Sequence, residues 1–297
     1  MKSLRAKSAL QLIITIFFAA LVTVLAKQTL AEVDSFTFVW LQMIFGIMTM
    51  FGYTFLIKKE KLPKQLNLSV WTIVFAIGIC NFTLVRTLFI FALDILPATT
   101  HAYLINFVGI VTMLLSGLLL KESPSRFQIL GAVIALIGVQ IYFYLWPSGE
   151  AWLGIFYAGA AVFFLALTNI FIRLLHLKHP QQLSANIVST GTVVLGGVPL
   201  IIWGLVSQVS VQQISLTNWL IIILNGIFSI ALTMTVFNIV MRHLKAFEAS
   251  ILASSGLVFT AMFSIPLLGE FLSLHQAAGI VMLIIGILLV QFNYRQN

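Results

Sequence analysis

The sequence predicts an all-α membrane protein with ten transmembrane helices, arranged as two inverted five-helix repeats. Three observations carry this prediction: the composition, a series of long apolar stretches, and a segment that occurs twice. Of the 297 residues, 61% are hydrophobic and only 8% are charged, and the mean hydropathy is +1.10. These values lie far outside the range of a soluble globular domain. The chain is therefore expected to be embedded in a lipid bilayer.

Ten apolar stretches follow one another along the chain, separated by short polar breaks. About 20 apolar residues are needed to cross the ~30 Å hydrocarbon core of a bilayer. The predicted spans are residues 8–26, 36–57, 70–92, 96–120, 127–145, 152–175, 184–206, 216–241, 246–268 and 274–292. A signal peptide cleaved after Ala26 is the alternative for the first span, but the repeat described below requires this helix to be retained.

The positive charges predict how the spans are oriented. The chain has 16 Lys and Arg against 8 Asp and Glu, a formal net charge of +8. With the amino terminus in the cytoplasm, every Lys and Arg except Lys27 and Arg86 falls on the cytoplasmic side, which is the positive-inside pattern. We therefore expect a multi-pass protein of the cell (inner) membrane with both termini cytoplasmic. A lipid-binding role is the alternative explanation for the basic cluster at residues 58–64.

Residues 121–139, KESPSRFQILGAVIALIGV, recur in altered form at residues 269–287, GEFLSLHQAAGIVMLIIGI. Adding 148 to a residue number carries the first segment onto the second without a gap, and the same offset relates all five early spans to the five late ones. The matched residues are Glu122, Ser125, Gln128, Gly131 and Gly138 with Glu270, Ser273, Gln276, Gly279 and Gly286. The chain thus divides into repeats at residues 1–148 and 149–297. Because five is odd, the second repeat is expected to enter the membrane in the opposite sense, with the Glu122 loop inside and the Glu270 loop outside.

Most of the repeated residues are expected to be structural. The pairs Ser125 with Gln128 and Ser273 with Gln276 have the capping-box spacing at a helix start. The two matched glutamates precede these starts, where exposed amides and the helix dipole favour a carboxylate. A role for the glutamates in ion coupling is the alternative. The paired glycines are seven residues apart in each copy, lie on one helix face, and are expected to allow close helix packing.

The inverted repeat also indicates a class of function. Such repeats, related by a pseudo-twofold axis in the membrane plane, recur in secondary transporters, with the substrate site between the halves near the midplane. With ten spans, Leu-x-Glu at the end of the fourth and ninth, and Gly-x6-Gly in the fifth and tenth, the chain resembles the EamA family of the drug/metabolite transporter superfamily over essentially its whole length. Lys27 resembles the lysine that often closes the first span of these proteins. The resemblance implies a permease without a cofactor.

Two features depart from the pattern of the family. Many members carry a proline thirteen residues before the Leu-x-Glu glutamate, where this chain has Gly109 and Leu257. Many also carry an arginine early in the second span, where this chain has Gln42. The resemblance therefore supports the fold and does not transfer individual substrate contacts.

Polar side chains at membrane depth are the candidates for substrate binding, because they are costly in lipid and tend to line cavities. Arg86 lies about 9 Å and His101 about 6 Å below the outer surface, at ~1.5 Å per residue. A guanidinium at this depth suits a carboxylate or phosphate. The alternatives are that Arg86 snorkels to the surface or pairs with Asp94, and that His101 either relays protons or is hydrogen-bonded locally.

Neutral amides complete the predicted substrate site. They are Asn106, Asn81, Gln42, Asn169 and Asn238. Each has the alternative of a hydrogen bond that joins neighbouring helices.

Several functions are disfavoured by what the sequence lacks. Its predicted spans contain no acidic residue at midplane depth, which weighs against proton-coupled efflux of lipophilic cations. Ser254 and Ser255 lack the glycine pattern of a hydrolase nucleophile, and no P-loop pattern occurs, so an enzyme is not expected. No nucleic-acid partner is expected either, because the longest polar break spans only residues 58–69.

The sequence is therefore interpreted as a secondary permease for a small polar metabolite: an amino acid, a related zwitterion or an organic anion. Its expected partners are this substrate, the lipid bilayer and a coupling proton or counter-substrate, and it is expected to act as a monomer or weak homodimer. Two alternatives remain open: efflux of amphipathic drugs or cations, and uptake of a nucleoside-like metabolite such as S-adenosylmethionine, the latter on the family resemblance alone.

Overall fold

The computed structural model describes residues 2–62, 68–121, 124–142, 151–179, 183–207, 214–253 and 255–292. All regular secondary structure within these ranges is helical. The helices are α1 Lys2–Thr29, α2 Ser35–Ile57, α3 Leu68–Ile95, α4 Ala98–Leu119, α5 Arg126–Tyr142, α6 Ala151–Lys178, α7 Ala185–Val206, α8 Leu216–Val240, α9 Ala246–Ala253, α10 Gly256–Leu268 and α11 Leu274–Phe292.

Length and composition make seven of these helices, α1 to α4 and α6 to α8, able to cross a membrane. Helices α5, α10 and α11 are apolar but shorter. The exposed surface of the bundle carries large apolar side chains such as Leu118 and Trp203, as expected where helices face lipid. The predicted all-α membrane character is therefore confirmed for the described residues, and the chain is a multi-pass membrane protein.

The predicted fourth and ninth spans are not uniform rods. The fourth passes from the helical stretch Ala98–Ile105 to Phe107–Leu119 through Asn106. The ninth is described as Ala246–Ala253 and Gly256–Leu268. The first stretches of the two spans correspond residue for residue at the offset of 148. In both spans the first helical stretch therefore ends at an equivalent position, Ile105 and Ala253.

Helices α3 and α8 also share a local departure from α-helical geometry. Each contains a π-helical segment near its middle, Ile79–Val85 in α3 and Asn225–Leu232 in α8. In a π-helical turn each backbone N–H bonds five residues back, and here the N–H of Arg86 donates to the carbonyl of Asn81. These two side chains therefore project from the same face of α3.

Helices α5 and α11 pack backbone to backbone through the four repeated glycines. A Cβ atom added to Gly279 would lie 2.7 Å from the carbonyl oxygen of Gly138, and one added to Gly286 would lie 2.5 Å from that of Gly131. The earlier glycine of one helix meets the later glycine of the other, so the two helices run antiparallel. The close packing predicted from the Gly-x6-Gly spacing is confirmed.

Glycines also bring the halves together in the middle of the bundle. A Cβ on Gly196 of α7 would lie 2.0 Å from the carbonyl oxygen of Gly78 in α3. A Cβ on Gly226 of α8 would lie 2.7 Å from the carbonyl oxygen of Gln42 in α2. Gly78 and Gly226 are equivalent by the offset of 148. The third helix of each repeat is therefore seated against the second helix of the other.

A cation from the first helix of each repeat binds the end of the third. Lys27 of α1 donates to the carbonyls of Leu93 and Asp94 at 2.7 Å each. Arg173 of α6 donates to the carbonyl of Met241 at 3.1 Å. Leu93 and Met241 are equivalent positions, and a cation is favourable at the carboxyl end of a helix. Because Asp94 takes part in this arrangement, α3 continues to Ile95, three residues beyond the predicted span.

Glu270 binds a helix start other than the one it precedes in sequence. Its carboxylate accepts from the backbone N–H of Ala98 at 2.7 Å and of Thr99 at 3.1 Å, and from the Thr99 hydroxyl at 2.8 Å. These amides begin α4, in the first repeat. The expectation that a helix start stabilises this carboxylate holds, but that helix is α4, 172 residues away in sequence, rather than α11. Its counterpart Glu122 lies outside the described residues.

The two predicted capping boxes are present at the starts of α5 and α11. The N–H of Ser125 donates to Oε1 of Gln128 at 2.7 Å, and the N–H of Gln128 donates to Oγ of Ser125 at 3.3 Å. The corresponding distances for Ser273 and Gln276 are 2.9 and 3.4 Å. Both helix starts are thus closed by their own side chains, as the sequence predicts.

We expect Gly279→Ala to destabilise the protein by roughly 1–3 kcal/mol, because the added methyl group would overlap the Gly138 carbonyl. Gly159→Ala is the matched control: no atom lies within 4 Å of a Cβ at this position in α6, so the change should be neutral or slightly stabilising. Unfolding of both variants in detergent measures the difference. Equal stability of the two would contradict the packing described for α5 and α11.

Ser125→Ala and Ser273→Ala should each lower the free energy of unfolding by about 1 kcal/mol, the usual cost of losing a helix cap. Ligand affinity should be nearly unchanged, because both serines lie at helix starts and not among the residues of the cavity described below. Unfolding and ligand titrations on the same preparations test this. A large loss of affinity at unchanged stability would place these helix starts in the transport site instead.

Candidate functional site

A cavity of about 220 Å³ lies inside the bundle and is lined by both sequence repeats. The first repeat contributes α1, α3 and α4, and the second contributes α6, α8, α9 and α10. These are the same three predicted spans of each repeat. Equivalent spans of the two repeats therefore form the cavity, and residues of the π-helical segments of α3 and α8 line it.

Arg86 spans the cavity from the first repeat to the second. Its Nη1 donates to Oγ of Ser229 at 2.9 Å, and its Nη2 donates to the backbone carbonyl of the same residue. Its Nε is buried and has no hydrogen-bond partner among the described residues. The guanidinium is thus held by one residue of α8, and its Nε–H donor has no acceptor among the described residues.

A second contact between α3 and α8 is the symmetry counterpart of the first. Nδ2 of Asn81 lies 3.6 Å from Sδ of Met234, and both residues line the cavity. The offset of 148 carries Asn81 onto Ser229 and Arg86 onto Met234. Asn81 and Ser229 lie in the π-helical segments, and each contacts the residue five positions after its equivalent in the other repeat. We call the two contacts the Arg86 rung and the Met234 rung.

Two polar residues of α4 line the same cavity. The His101 ring is 3% exposed and packs edge to face on Phe89, with ring centroids 5.5 Å apart. Asn106 lies between the two helical stretches of α4, and its Nδ2 donates to the carbonyl of Ala102 at 2.6 Å. This bond gives the Ala102 carbonyl, one turn before Asn106, a partner. The Asn106 side chain also lines the cavity.

On the opposite side, amides join the helices of the second repeat to their neighbours. Asn169 of α6 donates to Oγ of Ser250 in α9 at 2.8 Å. Asn225 of α8 donates to the carbonyl of Val22 in α1 at 3.3 Å. All four residues except Val22 line the cavity. These bonds fix the walls and also present polar atoms to a ligand.

The structure brings together five of the seven residues predicted for the substrate site: Arg86, His101, Asn106, Asn81 and Asn169. Gln42 and Asn238 are not among the lining residues. Asn238 instead donates to Ser189 at 2.9 Å and to the Met234 carbonyl at 3.1 Å. Gln42 is fully buried where α2 meets α8, and its side-chain amide has no hydrogen-bond partner among the described residues.

Sequence reasoning missed Ser229 and Met234. Neither is conspicuous on its own, since serine and methionine are common inside membrane helices. The signal that would have found them is the repeat itself, because adding 148 to Asn81 and Arg86 points directly to these two positions.

The electrostatics of the cavity are simple. Among the described residues that line it, Arg86 is the only lysine or arginine, and there is no aspartate or glutamate. Asp94, the sequence alternative for pairing with Arg86, accepts a hydrogen bond from Ser35 instead. No group of three or more histidine, cysteine or acidic residues suited to a metal ion occurs in the described part of the chain.

Comparison with known proteins identifies the fold and the family. A solved structure described as "Crystal structure of protein" superposes with a TM-score of 0.75 at 16% sequence identity, covering 98% of this chain and 99% of the other. This level of identity shows a shared fold. No curated protein matches the chain. The model of the EamA-like transporter family matches residues 6–144 and, separately, residues 152–292, so it accounts for both repeats. The chain therefore belongs to the EamA-like transporter family.

Proposed function

We propose that this transporter is a secondary permease that carries a small metabolite with an anionic group, an amino acid, related zwitterion or organic anion, by alternating access between its two repeats. The observation that carries the proposal is Arg86, whose guanidinium lies in a cavity between the repeats with an unpartnered, buried Nε–H. A buried cation without an acidic partner favours an anionic ligand, because pairing lowers the cost of its burial.

The chemistry of the guanidinium fits this role. Arginine has five N–H donors in a planar fork, and Ser229 engages two of its nitrogen atoms. The donor on Nε lies next to those on the terminal nitrogens, so a carboxylate can bind two of them side by side. The surrounding amides of Asn81, Asn106 and Asn169 supply further hydrogen bonds for the rest of a polar substrate.

The proposed topology has ten spans in two inverted halves, with both termini in the cytoplasm of an inner-membrane protein. The antiparallel packing of α5 on α11 supports opposite orientation of the repeats, because these are equivalent helices. The placement of Lys and Arg supports the direction. In this orientation Glu270 and the amino end of α4 are extracellular. The interrupted spans, α4 and α9 with α10, pack on each other and both line the cavity, as discontinuous helices line the substrate site in other inverted-repeat transporters.

The alternative cargoes fit the cavity less well. Lipophilic cations and S-adenosylmethionine, a sulfonium, both carry net positive charge. No aspartate or glutamate occurs among the described lining residues, and Arg86 would repel either ligand. The proposal includes coupling of transport to a proton or counter-substrate. It also includes a monomeric or weakly dimeric state of the protein.

Arg86→Ala should abolish transport at normal expression, and Arg86→Lys should reduce it only partly, because lysine keeps the charge and loses the fork. Arg126→Ala is the matched control, since it removes an exposed arginine at the start of α5 and should leave transport intact. Uptake or counterflow in proteoliposomes, with folding checked by gel filtration, gives the rates. Wild-type kinetics in Arg86→Ala would end the proposal.

The topology is tested with single cysteines in a Cys80→Ser background. Ser207→Cys, after α7, should react with a membrane-impermeant maleimide in intact cells. Lys61→Cys, after α2, should react only after the membrane is permeabilised. Both positions are exposed at helix ends, so accessibility reports the side of the membrane. The opposite labelling pattern would invert the proposed orientation, and labelling of both from outside would refute the span count between them.

A further inference from the structure

The Arg86 rung and the Met234 rung give two neighbouring parts of the cavity wall unequal chemistry. In each rung a residue of α3 touches a residue of α8, with 2.9 Å between Arg86 and Ser229 and 3.6 Å between Asn81 and Met234. Arg86 follows Asn81 by one turn, through the backbone bond between them. The rungs are therefore separated by about one helical pitch, on the order of 5 Å. A symmetric framework thus presents a cation at one position and a thioether at its equivalent.

We propose that the substrate is a net monoanion with an apolar body, bound with its anionic group at Arg86 and its uncharged end at a subsite formed by Met234 and Asn81. This inference rests on the proposed function and narrows its substrate class from amino acids and anions to apolar monoanions. Met234 is then a residue that determines specificity.

The charge balance of the cavity carries the first half of the argument. A monoanion at Arg86 makes the charge of the cavity and its ligand zero. A zwitterion leaves that sum at +1, and its ammonium group meets no carboxylate among the described lining residues. Uncompensated charge is expensive away from water, so the monoanion is favoured.

The nearest carboxylates are committed to other partners beyond the lining. Glu270 accepts from the amides at the start of α4. Asp94 accepts from Ser35. Lys27 interacts electrostatically with both acids. Its ammonium group donates to carbonyls at the end of α3. Glu270, Asp94 and Lys27 thus have partners outside the cavity, and neither carboxylate is placed to pair with an ammonium group of the substrate.

The second half of the argument is the apolar surface around Met234. Its side chain is 3% exposed and packs in the main hydrophobic cluster, and its sulfur has a weakly polar contact with the Asn81 amide. Phe237 lies three positions further along α8 on the same helix face, and Leu165 and Ile172 of α6 line the same cavity. A flexible, polarizable thioether among such groups accommodates hydrocarbon of varied shape.

Three ligands that share a 3-methylbutyl chain test the inference on the purified full chain. They are 4-methylpentanoate, which is an anion, leucine, which adds an ammonium group, and 3-methylbutylamine, which keeps only the ammonium group. We expect 4-methylpentanoate to bind at least about tenfold more tightly than leucine, equal to 1.4 kcal/mol, and the amine not to bind. Isothermal titration gives the affinities, and the shift in thermal unfolding at about 10 mM ligand checks them.

Variants at the two rungs separate the subsites. Arg86→Met should remove binding of every anion. In the wild type, affinity should rise from propionate to 4-methylpentanoate, by up to roughly fourfold for each buried methylene. Met234→Asn should flatten this dependence on chain length, whereas Met234→Leu, which stays apolar, should preserve it and also serves if the asparagine variant fails to fold.

The outcomes distinguish this inference from the proposed function. If leucine binds as tightly as 4-methylpentanoate and Arg86→Met removes both, the anion site stands and the restriction to monoanions is wrong. If Arg86→Met leaves all affinities unchanged, the proposed function itself falls. A cooperatively unfolding preparation that 4-methylpentanoate does not stabilise, or a Met234→Asn variant that keeps the full chain-length dependence, also overturns the inference.

Discussion

Backbone hydrogen bonding inside the bilayer is the constraint on which this structure depends. A lipid-facing amide without a partner costs several kcal/mol, so the chain is helical wherever it crosses. Helix α2 ends in a π-helical segment, Gly52–Ile57. Three further departures from α-helical bonding lie inside the bundle: the π-helical segments of α3 and α8 and the irregular turn at Asn106 in α4 all contribute residues that line the cavity. Irregular backbone is tolerated there because other groups complete its bonding, and it is what turns Arg86 and Asn81 to the same side.

The internal repeat places equivalent residues at equivalent positions of the two halves, but some of these positions carry different side chains. The glycine contacts of α5 with α11, and the cations at the ends of α3 and α8, keep equivalent positions in equivalent roles. The two rungs keep the positions and change the chemistry. In the proposed mechanism, the symmetric framework supports two states of similar energy, and the unequal pair of rungs orients the ligand. The fold thus relies on positions where the two repeats are alike, and the proposed recognition relies on positions where they differ.

Sequence alone predicts much of this fold, because its signals are local or repeated. Hydropathy predicts the helices, the Ser-x-x-Gln spacing predicts the capping boxes, and the glycine spacing predicts close helix packing without naming the partner helix. What escapes prediction depends on tertiary geometry. The partner of Glu270 lies in the other repeat, and the orphaned amide of Gln42 is buried between α2 and α8 rather than in the cavity. Polar character at membrane depth identifies candidates such as Asn238, but only packing decides whether an amide faces a ligand or a neighbouring helix.

The carboxylate of Glu270 on the start of α4 has a mechanical consequence. It fastens the fourth helix of the first repeat to the loop between α10 and α11, and α4 also packs on α6, α9 and α10, all from the second repeat. Likewise, α10 packs on α1. This arrangement resembles a domain swap within one chain, because the fourth span of each repeat packs against helices of the other repeat. The contacts that hold the bundle together therefore cross the border between the two sequence repeats, and neither repeat forms a separate packing unit.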